Sequence, residues 1–330
     1  MQKTIYIFSD GTLQRQGNTL CYKTPEGKRF LPVEDIHEIM VFGEVECNKK
    51  LLEFLSQNEI MLHYFNHYGY YMGTFYPREH YNSGFVILKQ AECYLDQERR
   101  LELAKNFVRG AILNILQVLK YYYKRGVSLS ETIERIETAE TQVQENPNIP
   151  ELMALEGNVR ETYYRAFDGI LSNPDFIFDK RSRRPPKNNL NTLISFGNSI
   201  LYTVVLSEIY KTHMDPRIGF LHATNFRRFS LNLDVAEIFK PIIIDRLIFT
   251  MVGTGMVTGK DFETESGGII LKDKARKRFV EELDKRLRTT IKHRSVGREV
   301  SYRRLIRMEI YKIEKHIMGE KEYKPFVSQW

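Results

Sequence analysis

Alternation of apolar and polar positions marks residues 1–85, and helical periodicity marks most of residues 86–330. Residues 4–8 are apolar and β-rich and run into Asp10-Gly11; Gly17-Asn18 and Pro25-Glu26-Gly27 punctuate the next segments as turns. EIMVFG, IMLHYF and YYMGTFY come next, rich in β-branched and aromatic residues, with residues 66–69 as a turn between the last two. One short helix interrupts them, because Asn48 stands as an N-cap before KKLLEFLSQN, whose Leu51, Leu52 and Leu55 share a face. The pattern predicts a small, mostly antiparallel β domain.

Beyond Ser83-Gly84 the period changes. Cys93, Leu101, Ala104, Phe107, Val108, Ala111 and Ile115 recur at helical spacing and predict one long helix over residues 85–125, closed by Gly126. Ser128 and Glu131 read as a capping box opening a helix over 130–144, which stops at Asn146-Pro147. Helical periodicity recurs over 151–170, 188–213, 225–250 and 275–317, with loops at Asn173-Pro174, residues 181–186, Asp215-Pro216 and residues 253–268. The fold class expected is α+β: a small β-rich N-terminal domain over 1–85, then a larger all-α domain over 86–330.

Composition narrows the function. A chain of 330 residues with 42% apolar, 12% aromatic and 28% charged residues can build a large core. No stretch reaches the roughly 18–20 uncharged apolar residues of a membrane helix; the best candidate, from Pro241, is broken by Asp245 and Arg246. The N-terminus has no small-residue cleavage site and reads as a strand, not a signal peptide. Cys21, Cys47 and Cys93 are too few and too scattered for a disulfide framework or a cysteine-rich zinc site, and they suit a reducing cytoplasm. A net charge of +7 makes a polyanionic partner plausible, and between Lys272 and Arg307 stand 14 Lys/Arg against five Asp/Glu. A solvated helix face would carry the same pattern.

The candidate chemistry lies in acidic residues on apolar stripes. On a helix the neighbours of Glu156 in ELMALEGNVRETYY are Leu152, Val159 and Tyr163, so its carboxylate faces inward and requires a cation, either an arginine or a metal. Asp234 and Glu237 in SLNLDVAEIFKP are three residues apart on one helix face among Leu231, Leu233 and Ile238, where like charges repel unless something positive stands beside them. An ion pair and a divalent ion both meet that demand. His222 in DPRIGFLHATN follows a turn; a neutral imidazole with two carboxylates suits Mn²⁺ or Mg²⁺. RSRRPPK, with Arg181, Arg183, Arg184 and Lys187, concentrates cations on a segment that proline holds out of helix, and arginine forks fit phosphate oxygens. YYYKR at 121–125 adds charge to aromatic residues that core packing also explains. The glycines at 253–255 and 267–268 match no phosphate loop and read as turns.

LEGNVRETYY, RSRRPPKNNLNTLISFGNSILY and DPRIGFLHATNFRRFSLNLDVAEIFKP, in that order, resemble the CRISPR-associated endonuclease/integrase family of spacer acquisition, the first-numbered Cas proteins. FNHYGYYMGTFYP and GGIILKDKARKRFVEEL extend the resemblance over nearly the whole chain. It implies a β-rich dimerisation domain, a helical catalytic and DNA-binding domain, a homodimer, and a small ferredoxin-like partner, the second-numbered Cas protein. It also implies Mg²⁺ or Mn²⁺ held by Glu156, His222 and Glu237, with Asp234 supporting the site. In that account Arg183, Arg184, Lys187, Lys272, Lys274 and Arg276 are the candidates for holding double-stranded DNA, in the cytoplasm and away from membranes. Two other readings compete: a non-catalytic basic helical DNA-binding or assembly protein, and a metal-dependent nuclease on RNA or branched DNA that does not integrate. The catalytic reading requires the three ligands to converge, and it fails if each carboxylate is already clasped by its own guanidinium.

Overall fold

The protein is described from a computed structural model covering residues 3–78, 81, 83–224, 229–265, 267–293 and 297–329. The chain separates into two compact units, residues 1–80 and 81–330.

The first unit holds two four-stranded sheets. β1 (Lys3–Ile7), β5 (Ile36–Val41), β7 (Met61–Phe65) and β8 (Tyr71–Phe75) form one, in that order. β4 (Gly27–Pro32), β3 (Thr19–Thr24), β2 (Gly11–Gln16) and β6 (Val45–Cys47) form the other. The expectation of a mostly antiparallel domain needs correction, since β1–β5, β5–β7 and β2–β6 pair parallel. The reason is connectivity. β5 reaches β7 through β6 and α1 (Lys49–Gln57), the crossover that a parallel pair requires, and strand periodicity carries no record of it. α1 begins as the sequence predicts, with the Asn48 side chain accepting from Leu51 N at 3.0 Å. Its Leu51, Phe54 and Leu55 join Leu13, Leu20, Ile39 and Leu62 in one core.

The second unit is helical. α2 (Gly84–Leu95) and α3 (Gln97–Tyr123) replace the single helix expected over 85–125. Asp96, at ψ 108°, ends one and caps the other, its carboxylate accepting from Glu98 N and Arg99 N. α4 (Ser130–Gln142) opens on buried Leu129 without a side-chain cap, so the Ser128 capping box does not form. α5 (Ile149–Arg165), α6 (Phe167–Leu171) and α7 (Asn189–Ile209) follow. α7 is long and apolar enough to cross a membrane by length and composition, but 89% of that stretch is buried inside the fold. Gly197 on α7 admits close packing, since a Cβ there would stand 2.7 Å from Ile244 and 3.0 Å from Phe279.

α8 (Leu231–Lys240) passes through a π-turn, Pro241–Asp245, into α9 (Arg246–Gly253). The start of the helix expected from 225 includes residues outside those described. β9 (Phe262–Glu265) and β10 (Gly268–Leu271) form a hairpin ahead of α10 (Asp273–Arg288), and β11 (Thr290–His293) with β12 (Arg298–Ser301) forms another before α11 (Tyr302–Ile317). These hairpins correct both the loop expected over 253–268 and the continuous helical stretch over 275–317. Four-residue strands are too short for alternation to stand out against helical neighbours.

Candidate active site

α5 enters on Asn148, whose side chain accepts from Glu151 N at 3.0 Å, with Pro150 in the first turn. Leu152, Val159 and Tyr163 are buried, as the spacing predicts, which orients the helix face that carries Glu156 and Arg160. Glu156 keeps 22% of its side chain exposed; Arg160, one turn on, keeps 10%. Gly157 beside them is open, with no atom within 4 Å of the place a Cβ would take, so close packing does not explain it.

Asp234 and Glu237 are both buried on α8 but serve different partners. Asp234 Oδ2 accepts from Phe220 N at 2.5 Å and Leu221 N at 3.1 Å. Its Oδ1 accepts from His222 N at 2.9 Å and meets His222 Nδ1 at 2.8 Å. Gly219 lets this loop close onto α8, since a Cβ there would fall 2.8 Å from Asp234 Oδ2. Asp234 thus fixes the imidazole from behind and leaves Nε2 as the nitrogen for a ligand. Burial opposes charge on His222, but the Asp234 hydrogen bond and charge, with Glu237, outweigh it and raise its pKa above the ordinary value.

Glu237 is held by two cations, Arg160 Nη2 on one oxygen and Lys240 Nζ on the other. Burial pushes its carboxyl up, yet Lys240, Arg160 and His222 together keep it well below the usual carboxylate range. Arg160 Nε also reaches Glu156 Oε1 at 3.4 Å, so one guanidinium bridges the two carboxylates. Asp245 ends the π-turn, near enough to Arg160, Lys240 and Glu237 for their charges to act on it. Burial pushes its pKa up to about 7 against the opposing pull of Arg160 and Lys240. Tyr163 beside it offsets a little of that rise without closing a well-aligned hydrogen bond. Arg160 Nη1, Tyr163 Oη and both Asp245 oxygens are buried without hydrogen-bond partners among the described residues.

Glu156 and Glu237 therefore meet at one guanidinium, and the charges of Glu237 and His222 act on each other. Among the described residues no three His, Cys, Asp or Glu side chains stand as a ready metal cage. The donor chemistry of two carboxylates and an imidazole Nε2 still fits Mg²⁺ or Mn²⁺, and the space between the carboxylates already accommodates positive charge. Arg160 and Lys240 escaped the sequence reading, although they sit four residues after Glu156 and three after Glu237, where helical partners fall. Asp245 was legible only as a break in an apolar run.

The basic candidates divide. Arg183, Arg184, Lys187, Lys272 and Lys274 are exposed. Lys187 Nζ donates to Gly267 O at 2.6 Å, and Ile269 N to Pro186 O at 2.9 Å, tying RSRRPPK to the β9–β10 hairpin. Lys272 stands at the N-cap position of α10 without a side-chain cap, its Nζ donating instead to Lys260 O at 2.8 Å. Arg276 is a correction. It is 5% exposed, with Nε on Leu271 O at 2.8 Å and Nη2 on Asp273 at 3.0 Å, and its guanidinium is turned into the fold. Of the YYYKR aromatics, Tyr122 packs edge-on against Phe249 and Tyr121 lies under Arg125 and Arg246.

A family model described as CRISPR associated protein Cas1 matches residues 5–285. The CRISPR-associated endonuclease Cas1 2 of Thermodesulfovibrio yellowstonii is 58% identical over 330 residues, spanning 100% of both chains. A solved Cas1 protein from Thermotoga maritima is similar at a TM-score of 0.87 and 49% identity, covering 98% of this chain and 100% of that one. A casposase bound to integration product shares the fold at a TM-score of 0.87 and 21% identity, covering 99% of this chain and 94% of that one.

Proposed function

From the premise that the chain belongs to the Cas1 family of CRISPR-associated proteins, we propose that it is a metal-dependent DNA endonuclease and integrase that inserts DNA fragments as spacers into a CRISPR array. One observation supports the reading: Glu156 and Glu237, remote in sequence, share the Arg160 guanidinium, and Glu237 feels the charge of His222, whose Nδ1 is committed to Asp234. Glu156, Glu237 and His222 Nε2 are the groups that would hold Mg²⁺ or Mn²⁺. Such an ion, when bound, supplies Lewis-acid polarisation of a phosphodiester and stabilises charge on its attacking and leaving oxygens.

The chain's own residues do the rest. Asp234 orients the imidazole; Lys240 keeps Glu237 ionised; Arg183, Arg184, Lys187, Lys272 and Lys274 hold duplex phosphates. In integration the nucleophile is a 3′-hydroxyl of the incoming DNA, and in hydrolysis it is water. A casposase of the same fold has been solved on an integration product, so the fold hosts that chemistry. A homodimer working with the small ferredoxin-like Cas partner belongs to the same proposal.

The test is strand transfer of labelled DNA into an array-bearing plasmid with Mn²⁺. Glu156→Ala, His222→Ala and Glu237→Ala should each abolish products, and transfer by a folded Glu156→Ala protein would reject the assignment. Nicked, branched and linear substrates compared side by side separate integration from simple cleavage. DNA affinity should fall steeply with salt; affinity indifferent to salt would remove the basic surface from the account. The Arg160 bridge favours one competing reading, a basic assembly protein whose acidic residues are structural ion pairs. That protein would bind DNA identically with and without Mn²⁺ and never change it.

A further inference from the structure

Arg160 holds the position that a divalent ion would need, yet it is poorly satisfied there. Its contact with Glu156 is long, at 3.4 Å, on the side of the bridge that opens to solvent. Among the described residues its buried Nη1 has no acceptor, and both oxygens of buried Asp245 lack a well-aligned donor, the Tyr163 hydroxyl acting on it only weakly. A guanidinium serving only as a structural tie should have its buried donors satisfied, and a carboxyl with no task in the interior costs more than an apolar side chain of its size. Asp245 and Arg160 are also near enough for their charges to act on each other. Asp245 owes its place to the π-turn, a backbone form that inserts an extra residue and re-aims side chains at functional sites.

We infer that Arg160 is a displaceable internal cation, which bridges Glu156 and Glu237 until a divalent ion takes its place, and that Asp245 is the carboxylate that then receives its guanidinium. The inference rests on the metal reading proposed above and adds to it a competitor and an acceptor for that competitor. A dication between the two carboxylates and a guanidinium on the same oxygens repel at contact distance, so one excludes the other. Moving Arg160 to Asp245, whose charge it already feels, exchanges two shared contacts for a paired charge that uses its idle donor. Both residues are positioning residues, acting on the ion through Glu156 and Glu237.

Mn²⁺ binding to the full-length protein without DNA, followed by the EPR signal of the free ion, tests this. Arg160→Gln should bind Mn²⁺ about fivefold or more tightly than wild type, because nothing has to be displaced. Asp245→Asn should bind about fivefold or more weakly, because the displaced guanidinium has lost its acceptor. In the double variant the Asp245→Asn penalty should vanish, since no guanidinium remains to be received. Arg160→Lys keeps the charge without the fork, should fall between wild type and Arg160→Gln, and serves alone if the glutamine variant does not fold. Equal affinity of wild type and the Arg160 variants overturns the competition. A penalty from Asp245→Asn that persists in the double variant overturns the acceptor. If wild type binds no Mn²⁺ that Glu156→Gln abolishes, the metal reading falls first and takes this inference with it.

Discussion

Asp234 accepts from three backbone N–H groups and one imidazole, all of them buried or nearly so, which makes it the hinge pin of the His222 loop. Asn in its place offers one acceptor oxygen and turns an amide donor toward other donors. Asp234→Asn should therefore lose about 3 kcal/mol in urea unfolding and lower the His222 pKa read by NMR. A loss below about 1 kcal/mol with an unmoved imidazole would show that the loop is held by something else. Asp245 predicts a pH dependence. Its folded carboxyl keeps a proton up to about pH 7, whereas the unfolded one releases it near 3.8. The folded state then binds the extra proton between those values, so this group's contribution to stability declines as pH rises through the window. Asp245→Asn removes the decline and should gain about 1–3 kcal/mol on wild type between pH 5 and pH 8, by denaturant titration at each pH; a constant difference would refute it. Acidic residues on apolar stripes were visible in the sequence at Glu156, Asp234 and Glu237. Which cation answers each was not, because an arginine and a metal ion satisfy the same pattern.

Elements were legible where local chemistry decides them. Asn48 capping α1 is local, as are the buried face of α5 and the apolar run of α7, and each stands where periodicity put it. Asp96 splits a helix whose apolar spacing continues across the break, so the stripe alone concealed the cap. The parallel pairings of the first unit depend on partners far along the chain, which a window of neighbours does not contain, whereas the β9–β10 hairpin pairs near neighbours through strands too short for alternation to mark. That hairpin anchors the basic segment. A Cβ on Gly268 would lie 2.3 Å from Pro185 Cβ, and Thr192 Oγ1 reaches Ile269 O at 2.8 Å from the start of α7. Gly268→Ala must push the strand away, at about 1–3 kcal/mol for overpacking. Hydrogen exchange should quicken in peptides spanning 181–191 and 262–272 and stay unchanged in α3; unaltered protection around Ile269 would mean that the segment is held without the glycine.

At the scale of the whole molecule, helices far apart in sequence are fastened by a few buried polar groups, and the last residues belong to that scheme. Beyond α11, Tyr323 Oη and Phe326 N both donate to buried Glu309 Oε1, at 2.6 and 2.9 Å. Pro325 fills the notch left by Gly110, and Ser328 N donates to Asn114 Oδ1 at 2.8 Å. Asn114 Nδ2 is shared between Phe326 O at 2.9 Å and Ile238 O at 3.0 Å, and Phe326 stacks on Phe239 at 5.8 Å. The terminal segment thus bears on α8 between Glu237 and Lys240, although nothing in its own sequence, EKEYKPFVSQW, suggests a connection to the acidic residues. The convergence of Glu156 with Glu237 was equally hidden from periodicity and entered the reading through resemblance, because no local rule measures distance between remote helices. Removing residues 320–330 would leave Asn114 and Glu309 short of donors and open the space of a fully buried tyrosine, a loss of about 4 kcal/mol or more. The deleted protein should unfold at lower urea, and if it remains folded, amides of α8 should exchange faster while those of α1 in the first unit do not. Equal protection of α8 in both proteins would show that the helix carrying Asp234 and Glu237 stands without that strap.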